Sequence, residues 1–264
     1  MATKHLLLQI DPKGVATITF DRPDVHNAFD DEMIEDLSGI LDDLRENADV
    51  RVLIIAGRGK SFSAGADLNY MKRAAGFSQD ENIADAMRLG RMLLSLRTFP
   101  MPTVALVQGA TYGGGVGVVA ACDIAVAVDH ALFALTEVKL GLVPAMISPF
   151  VIAAIGAQQA RRYFQTAERF GATEALRIGL VDEIVGSEMA LQARADETIS
   201  QILLTGPEAA VHAKKLVADV SGFHVGEETL RDLAQRIAGR RASKEGTEGI
   251  AAFLERRRPF WAPE

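Results

Sequence analysis

The stretch "TYGGGVGVVAACD", Thr111 to Asp123, decides the fold because it joins a strand-like run to a helix-like run through a cluster of glycines. The apolar run before it, Thr103 to Val107, has the residues of a buried strand, and the small and apolar residues after it suit a buried helix. A glycine inside a helix or strand costs roughly 0.5–1 kcal/mol. The four glycines between residues 113 and 117 therefore either pack the backbone tightly or let a ligand approach it.

The same order of strand, turn and helix occurs earlier in the chain. A strand in "VRVLIIAG" is followed by the turn "RGKSFSAGADL" and by a helix expected over residues 82–97. Two strands, "LLLQI" and "VATITF", open the chain, and Asn27 is predicted to cap the helix that follows them. Repeated units of this kind predict a mostly parallel α/β core that binds ligands at the turns beyond the strand ends.

From about residue 156 onward the sequence is helical by its period, with the single strand-like run "VDEIV". No low-complexity linker precedes these helices, so we expect them to pack on the core. We predict a core region over residues 1–200 and a C-terminal helical region over residues 201–264.

The composition is that of a soluble globular protein, with 264 residues of which 48% are hydrophobic and 24% charged. A net charge of −7 disfavours nucleic acid and anionic membranes as partners. The uncharged run from Leu140 to Ala157 contains Pro144 and Pro149, which break helices, and so favours an irregular apolar wall followed by a core helix over a membrane span. The single cysteine, Cys122, and the short N-terminal apolar run predict no disulfides and a cytoplasmic location.

Three kinds of site could use the glycine cluster. A phosphate-binding P-loop is excluded because no Lys-Ser or Lys-Thr follows. Gly115, Gly117 and Ala120 satisfy a dinucleotide-binding pattern, but the acid that closes the next strand, Asp129, comes too early for the usual spacing. The third kind is an oxyanion site, in which backbone N–H groups at a helix N-terminus and in the earlier turn "SAGAD" converge on one oxygen.

An oxyanion site needs an acid or base beside it. The five histidines are scattered and no Gly-x-Ser-x-Gly is present, so neither a metal nor a serine nucleophile is predicted. The best candidate is Glu137, because "LFALTEVKLGLVP" places a lone carboxylate at the end of an apolar strand, where desolvation raises a carboxyl pKa. Its position alone suits a structural ion pair with Lys139, or a helix cap, equally well.

Four blocks in this order resemble the enoyl-CoA hydratase/isomerase family, the crotonases: "SFSAGADL", "VQGATYGGGVGVVAACDIAVA", "FALTEVKLGLVP" and "ATEALRIGLVDEIV". The resemblance covers essentially the whole chain. It implies an α/β fold, a crotonase-like spiral of ββα repeats with a C-terminal helical region, assembled as a homotrimer or a dimer of trimers. It also implies an acyl-CoA thioester as substrate and no cofactor, since coenzyme A is part of the substrate.

The resemblance assigns roles by position. The N–H groups of Ala66 and Gly114 would bind the thioester oxygen, and the Ala64 carbonyl would accept the adenine amine. Glu137 matches the second of the two catalytic glutamates of typical hydratases. The other positions assigned to substrate binding are Val25, Ala28, Asp67, Leu68, Gly113, Gly117 and Thr136.

Gly117 also marks a departure from the family, because the first catalytic glutamate would stand there. Three functions remain open: a hydratase that works with Glu137 alone, an isomerase that shifts a double bond with one base, and a non-catalytic CoA-binding protein. A glutamate introduced at position 117 is expected to restore activity on simple straight-chain enoyl-CoA.

The segment "VPAMISPFVIAAIGAQQARRYFQTAERF" replaces the glycine-rich segment of most relatives. It is similar to that of a bacterial subgroup that hydrates 3-methylglutaconyl-CoA or isohexenylglutaconyl-CoA. Both substrates carry a distal carboxylate, for which Lys72 or Arg73 is a candidate cation unless both are solvated helix charges. Arg22 and Arg256 to Arg258 are candidates for the CoA phosphates.

Overall fold

The computed structural model describes residues 3–222 and 224–263. The strands are β1 (Leu6–Ile10), β2 (Val15–Phe20), β3 (Val52–Gly57), β4 (Ser61–Ser63), β5 (Thr103–Val107), β6 (Ala110–Tyr112), β7 (Ile124–Val128), β8 (Leu132–Ala134), β9 (Phe170–Gly171) and β10 (Glu183–Val185). The helices are α1 (Asp31–Arg45), α2 (Leu68–Ala74), α3 (Gln79–Arg97), α4 (Gly114–Ala121), α5 (Ser148–Thr166), α6 (Ala172–Ile178), α7 (Glu188–Leu204), α8 (Pro207–Val220), α9 (Glu227–Ala242) and α10 (Lys244–Glu255).

The strands form two sheets, and each repeated unit of strand, strand and helix contributes one strand to the larger sheet and one to the smaller sheet. The larger sheet has the order β1-β2-β3-β5-β7-β10 and is parallel except for the β1–β2 pair. The smaller sheet has the order β4-β6-β8-β9 and is parallel except for the β8–β9 pair. The pairs β3/β4, β5/β6 and β7/β8 therefore repeat one ββα plan, which confirms the predicted α/β fold. The two short strands β4 and β6, which sequence patterns predicted only as turns, hold the turns of successive repeats side by side.

The core lies around the central strands of the larger sheet. Strand β5 is buried at every position, and β3 is buried at its first four. Their continuous apolar sequence is what a parallel strand covered on both faces requires.

The predicted cap of α1 is wrong by three residues. The Asp30 side chain accepts from the Met33 N–H at 2.9 Å, whereas Asn27 is fully buried with a φ of 54°. The Asn27 amide donates to the carbonyl oxygens of Arg58 and Ser61. Asparagine tolerates the left-handed conformation, and its side chain readily forms hydrogen bonds with backbone groups. At this position the Asn27 side chain makes these tertiary hydrogen bonds and does not cap the helix.

The uncharged segment between Leu140 and Ala157 is irregular and then helical, as expected. A 3-10 turn covers Glu137–Leu140, and α5 begins at Ser148 with Pro149 in its first turn. Proline is tolerated there because the first N–H groups of a helix have no intrahelical partner. Among the described helices, none is long and apolar enough to cross a membrane.

The C-terminal helices contact the core through polar side chains. Lys214 of α8 donates to the Asp123 carboxylate at 2.6 Å and to the Met101 carbonyl at 3.2 Å. Arg51, which precedes β3, donates to the Thr205 carbonyl at 2.9 Å. The predicted packing of these helices on the core is therefore confirmed. The boundary at residue 200 stays a prediction, and α7 runs across it.

Candidate active site

The turns that follow β4 and β6 meet because these two strands pair in parallel, Ser61 with Ala110 and Ser63 with Thr111. The contact requires glycine on both sides. A Cβ added to Gly65, whose φ is 89°, would lie 3.1 Å from the Tyr112 carbonyl oxygen. A Cβ on Gly115 would lie 2.9 Å from the Cβ and carbonyl oxygen of Ser63. Close packing thus explains part of the glycine cluster.

Each turn also presents one free backbone donor. Phe29 forms backbone hydrogen bonds with the two residues that flank Ala66. Its N–H donates to the Gly65 carbonyl, and its carbonyl accepts from the Asp67 N–H. The Ala66 N–H itself has no acceptor in residues 3–222 or 224–263. Gly114 begins α4, and its N–H likewise has no acceptor within the described chain. Two unsatisfied donors at the mouths of adjacent turns suit an anionic oxygen.

Ala66 and Gly114, the residues that carry these donors, both line one cavity of about 490 Å³. Its walls are mostly apolar, and the apolar side chains that line it include Phe29, Ile34, Met71, Leu89, Leu142, Val143, Met146 and Ile147. The charged side chains among the described lining residues are Asp85 and Glu137. An apolar cavity with a few convergent polar groups is the usual form of a small-molecule site.

Glu137 carries a carboxylate beside the turn at Gly113. Its Oε1 lies 3.3 Å from the place where a Cβ on Gly113 would stand, and its Oε2 is buried without a hydrogen-bond partner. Burial raises the pKa of Glu137, and a hydrogen bond from its own backbone N–H offsets part of that rise. No ion pair with Lys139 forms among the described residues, so the structural ion pair that sequence position allowed is wrong.

The predicted substrate positions divide into two groups. Ala64, Leu68, Gly113 and Thr136 line the cavity together with Ala66, Gly114 and Glu137. The Ala64 N–H donates to the His26 carbonyl at 2.9 Å, and the Ala64 carbonyl accepts from no described donor.

The structure does not place the other predicted substrate positions, Val25, Ala28, Asp67 and Gly117, in the cavity wall. Val25 is exposed on a 3-10 turn, and Ala28 is buried. The Asp67 side chain caps α2 by accepting from the N–H groups of Asn69 and Tyr70.

Gly117 faces Ile147 rather than open space. A Cβ added to Gly117 would lie 2.5 Å from the Ile147 Cγ2 and 3.4 Å from the Leu93 Cδ1. Ile147 itself lines the cavity. An apolar side chain therefore fills the region where the family's first glutamate would start.

Three of the six predicted cations, Arg22, Arg73 and Arg257, are already held in ion pairs. Arg22 forms ion pairs with Asp30 at 2.9 Å and with Asp67 at 3.1 Å and donates to the Ala28 carbonyl at 2.5 Å, so it is a poor candidate for a CoA phosphate. This network holds the capping aspartate of α2 and explains why the arginine is half-buried.

The other predicted cations lie outside the cavity wall. Arg257 pairs with Glu248 and Glu255. Arg73 pairs with Asp31, and Lys72 is exposed on α2. The reading of Lys72 and Arg73 as surface helix charges fits these positions.

One cluster was missed by sequence reasoning. Tyr70 of α2 and Asp85 of α3 line the cavity, and Arg88 donates from Nη2 to Asp85 Oδ1 at 2.8 Å. Burial raises the pKa of Tyr70, and a hydrogen bond to Asp85 adds to that rise. Residues 85 and 88 are three positions apart, which is the spacing of neighbours on one face of a helix. Tyr70 lies on α2, which was not predicted, and no sequence pattern indicated that it contacts them.

A family model described as enoyl-CoA hydratase/isomerase matches residues 11–264. The chain belongs to the enoyl-CoA hydratase/isomerase family. A putative enoyl-CoA hydratase of Thermus thermophilus is 34% identical over 96% of this chain and 99% of its own. The crystal structure of a putative enoyl-CoA hydratase/isomerase (crotonase) from Legionella pneumophila is 42% identical, covers 98% of this chain and 100% of its own, and superposes with a TM-score of 0.94. A trans-2-decenoyl-[acyl-carrier-protein] isomerase of Streptococcus mutans is 29% identical over 98% of both chains.

Proposed function

We propose that the protein is an acyl-CoA hydratase that adds water across the 2,3 double bond of a branched enoyl-CoA of the 3-methylglutaconyl-CoA type. The observation that carries the proposal is a single buried, unpaired carboxylate, Glu137, in the same apolar cavity as two free backbone donors. The chemistry needs no cofactor beyond the coenzyme A of the substrate, because the donors stabilise the charge that develops.

The thioester oxygen accepts from the N–H groups of Ala66 and Gly114, which withdraws electrons from the double bond. Each donor of this kind is typically worth ~2.7–4 kcal/mol in the transition state. The Glu137 carboxylate takes a proton from water as the water oxygen bonds to Cβ, and the electron pair of the double bond moves to the enolate. The protonated Glu137 then delivers the proton to Cα, so one carboxyl group both removes and returns it.

A raised pKa suits this double role. An unperturbed glutamate is a weak base and holds its proton too loosely to act as an acid near neutral pH. Burial raises the pKa of Glu137 and so brings both functions closer to the working pH.

A double-bond isomerase is the second candidate, and the Ile147 contact at Gly117 favours it. An isomerase needs one base, which removes a proton from one carbon and returns it to another, and no site for water. Product analysis separates the two: a hydroxyacyl-CoA supports the hydratase, and a shifted alkene without uptake of water supports the isomerase. A non-catalytic CoA-binding protein would give neither product.

We infer a homotrimer or a dimer of trimers in the cytoplasm. Helices α8 and α9 bury none of their described residues, and Phe253, Leu254 and Phe260 expose more than 70% of their surface. Apolar surface of this kind is expected to be covered by another copy of the chain. Light scattering on the purified protein measures the assembly, and a monomer at micromolar concentration would contradict it.

A panel of crotonyl-CoA, 3-methylglutaconyl-CoA and isohexenylglutaconyl-CoA tests the function. Hydration removes the absorbance of the conjugated thioester, and the proposal predicts faster loss with the branched substrates. Glu137→Gln should abolish turnover while CoA-ester binding survives. An active Gln variant would refute the role of Glu137, and equal, slow rates on all three esters would leave the branched substrate without support.

A further inference from the structure

One wall of the cavity that contains Glu137 depends on a glycine outside the wall itself. Gly90 lies on α3 and is not among the described residues that line the cavity. A Cβ added to Gly90 would overlap the terminal methyl carbon, Cε, of Met146 and would lie 4.0 Å from its sulfur atom. Met146 itself lines the cavity. The bare backbone at Gly90 is therefore a recess in α3 that receives the end of the Met146 side chain.

Met146 lies close to the donor that is proposed to bind the thioester oxygen. Its neighbour Ile147 also lines the cavity and is the residue that a Cβ on Gly117 would meet. Gly117 follows Gly114 by three residues of α4, a rise of about 4.5 Å. The wall that Met146 and Ile147 share is therefore near the first carbons of a bound acyl chain.

A side chain at position 90 would displace the end of Met146 and leave α3 intact. Outside α3, the described atoms within 4 Å of the added Cβ belong to Met146. A methionine side chain has three rotatable bonds and adapts to a changed space at low cost. Alanine is also a better helix former than glycine. Gly90→Ala is therefore expected to fold and to change the position of one cavity-lining side chain.

We propose that Gly90 is a positioning residue for acyl-group specificity: its recess keeps the Met146 methyl out of the cavity and so leaves room for a branch on Cβ of the substrate. The proposal rests on the proposed function in placing a branched acyl chain in this cavity. Met146 has α3 on one side and the cavity on the other, so a methyl displaced from α3 takes up space that the branch needs. One methyl group in an apolar pocket changes discrimination by roughly tenfold or more.

Binding of two saturated thioesters tests the proposal without any turnover. Isovaleryl-CoA and butyryl-CoA have the same four-carbon backbone and differ by one methyl group on Cβ, and neither has a double bond to hydrate. By titration calorimetry the wild type should bind isovaleryl-CoA at least as tightly as butyryl-CoA. Gly90→Ala should weaken isovaleryl-CoA binding roughly tenfold and leave butyryl-CoA binding unchanged.

Gly39→Ala is the matched control, because it makes the same change in a helix where the added Cβ meets nothing within 4 Å. It should alter the affinity for neither ester. A Gly90→Ala variant that keeps the wild-type ratio of the two affinities overturns the proposal.

Removal of the Met146 side chain separates a positioning role from a general effect on α3. Gly90→Ala/Met146→Ala should bind isovaleryl-CoA as tightly as Met146→Ala does, because no methyl group remains to be displaced. A tenfold loss that persists in the double variant overturns the role of Met146. Met146→Ala alone should strengthen binding of 3,3-dimethylbutyryl-CoA, which carries one further methyl group on Cβ, and no gain would contradict the placement of Met146 beside that carbon.

The two proposals fail in different ways. If no acyl-CoA ester is hydrated but the isovaleryl-CoA to butyryl-CoA ratio depends on Gly90 through Met146, the hydratase proposal fails and the positioning role stands. If branched esters are hydrated but the ratio does not depend on Gly90, the positioning role fails alone.

Discussion

Replacement of Gly117 tests how firmly the second carboxylate is excluded. A Cβ at this position would lie 2.5 Å from the Ile147 Cγ2 and 3.0 Å from its Cβ, whereas ordinary contacts fall at 3.4–4 Å. Overpacking of a buried site by one carbon costs about 1–3 kcal/mol. Gly39 of α1 is the matched control, because a Cβ there meets nothing within 4 Å and the gain in helix propensity is the same.

Gly117→Ala should therefore be less stable than Gly39→Ala by about 1–3 kcal/mol, which corresponds to roughly 2–12 °C in melting temperature for a chain of this size. Thermal unfolding at one protein concentration measures the difference. Ile147→Ala removes the atom at 2.5 Å, so it should reduce the penalty of Gly117→Ala when the two are combined. Equal stability of the two alanine variants would refute the close contact at Gly117.

The same contact changes the expectation for a glutamate at position 117. Its longer, charged side chain would start from the overlapped Cβ, and no described residue that lines the neighbouring cavity is a cation that could pair with it. Gly117→Glu alone should lose stability and gain no activity on crotonyl-CoA, whereas the Gly117→Glu/Ile147→Ala variant has room for the carboxylate. Gain of activity by the single variant would contradict this account of the site.

Three further predictions concern Glu137, the turn at Gly113 and the buried thiol of Cys122. Because the pKa of Glu137 is higher in the folded state than in the unfolded state, ionisation of Glu137 lowers the stability of the fold as pH rises through the interval between the two values. The gain in melting temperature of Glu137→Gln over the wild type should therefore be larger at pH 8 than at pH 4. The same change in melting temperature at both pH values would contradict this prediction. Gly113→Ala places a Cβ 3.3 Å from Glu137 Oε1 on a residue whose φ is 48°. Its kcat/KM should therefore fall at least tenfold, a loss of about 1.4 kcal/mol in transition-state binding. Unchanged kinetics would show that the turn tolerates the side chain. Burial raises the pKa of Cys122 to about 12, so a thiol reagent should label it only after unfolding, and rapid labelling of the native protein would disagree.

Sequence patterns predicted the long elements because each has a strong period or a continuous apolar run. Strands β1 to β3, β5 and β7 and the helices α1, α3, α5 and α7 to α10 belong to this class. Strands β4 and β6 were not predicted, because each has three residues and forms through pairing with a distant segment. Helix α2 was not predicted either, because its seven residues follow a turn-like sequence and carry little periodic signal.

The candidate site divides in the same way. The two turns and Glu137 could be predicted, since glycines at strand ends and a carboxylate in an apolar run are local signals. The contact of Ile147 with Gly117 and the cluster of Tyr70, Asp85 and Arg88 could not, because each joins segments that are distant in the sequence. The ion pairs of Arg22 could not be predicted from the sequence either, although they leave this arginine unavailable for a CoA phosphate.

We propose that one carboxylate and two backbone donors hydrate a branched enoyl-CoA. The most direct test incubates the enzyme with 3-methylglutaconyl-CoA in heavy-oxygen water and analyses the product by mass spectrometry. The wild type should give a hydroxyacyl-CoA that carries the heavy oxygen at Cβ, and Glu137→Gln should leave the ester unchanged. A shifted alkene without the label, or labelled product from the Gln variant, would contradict it.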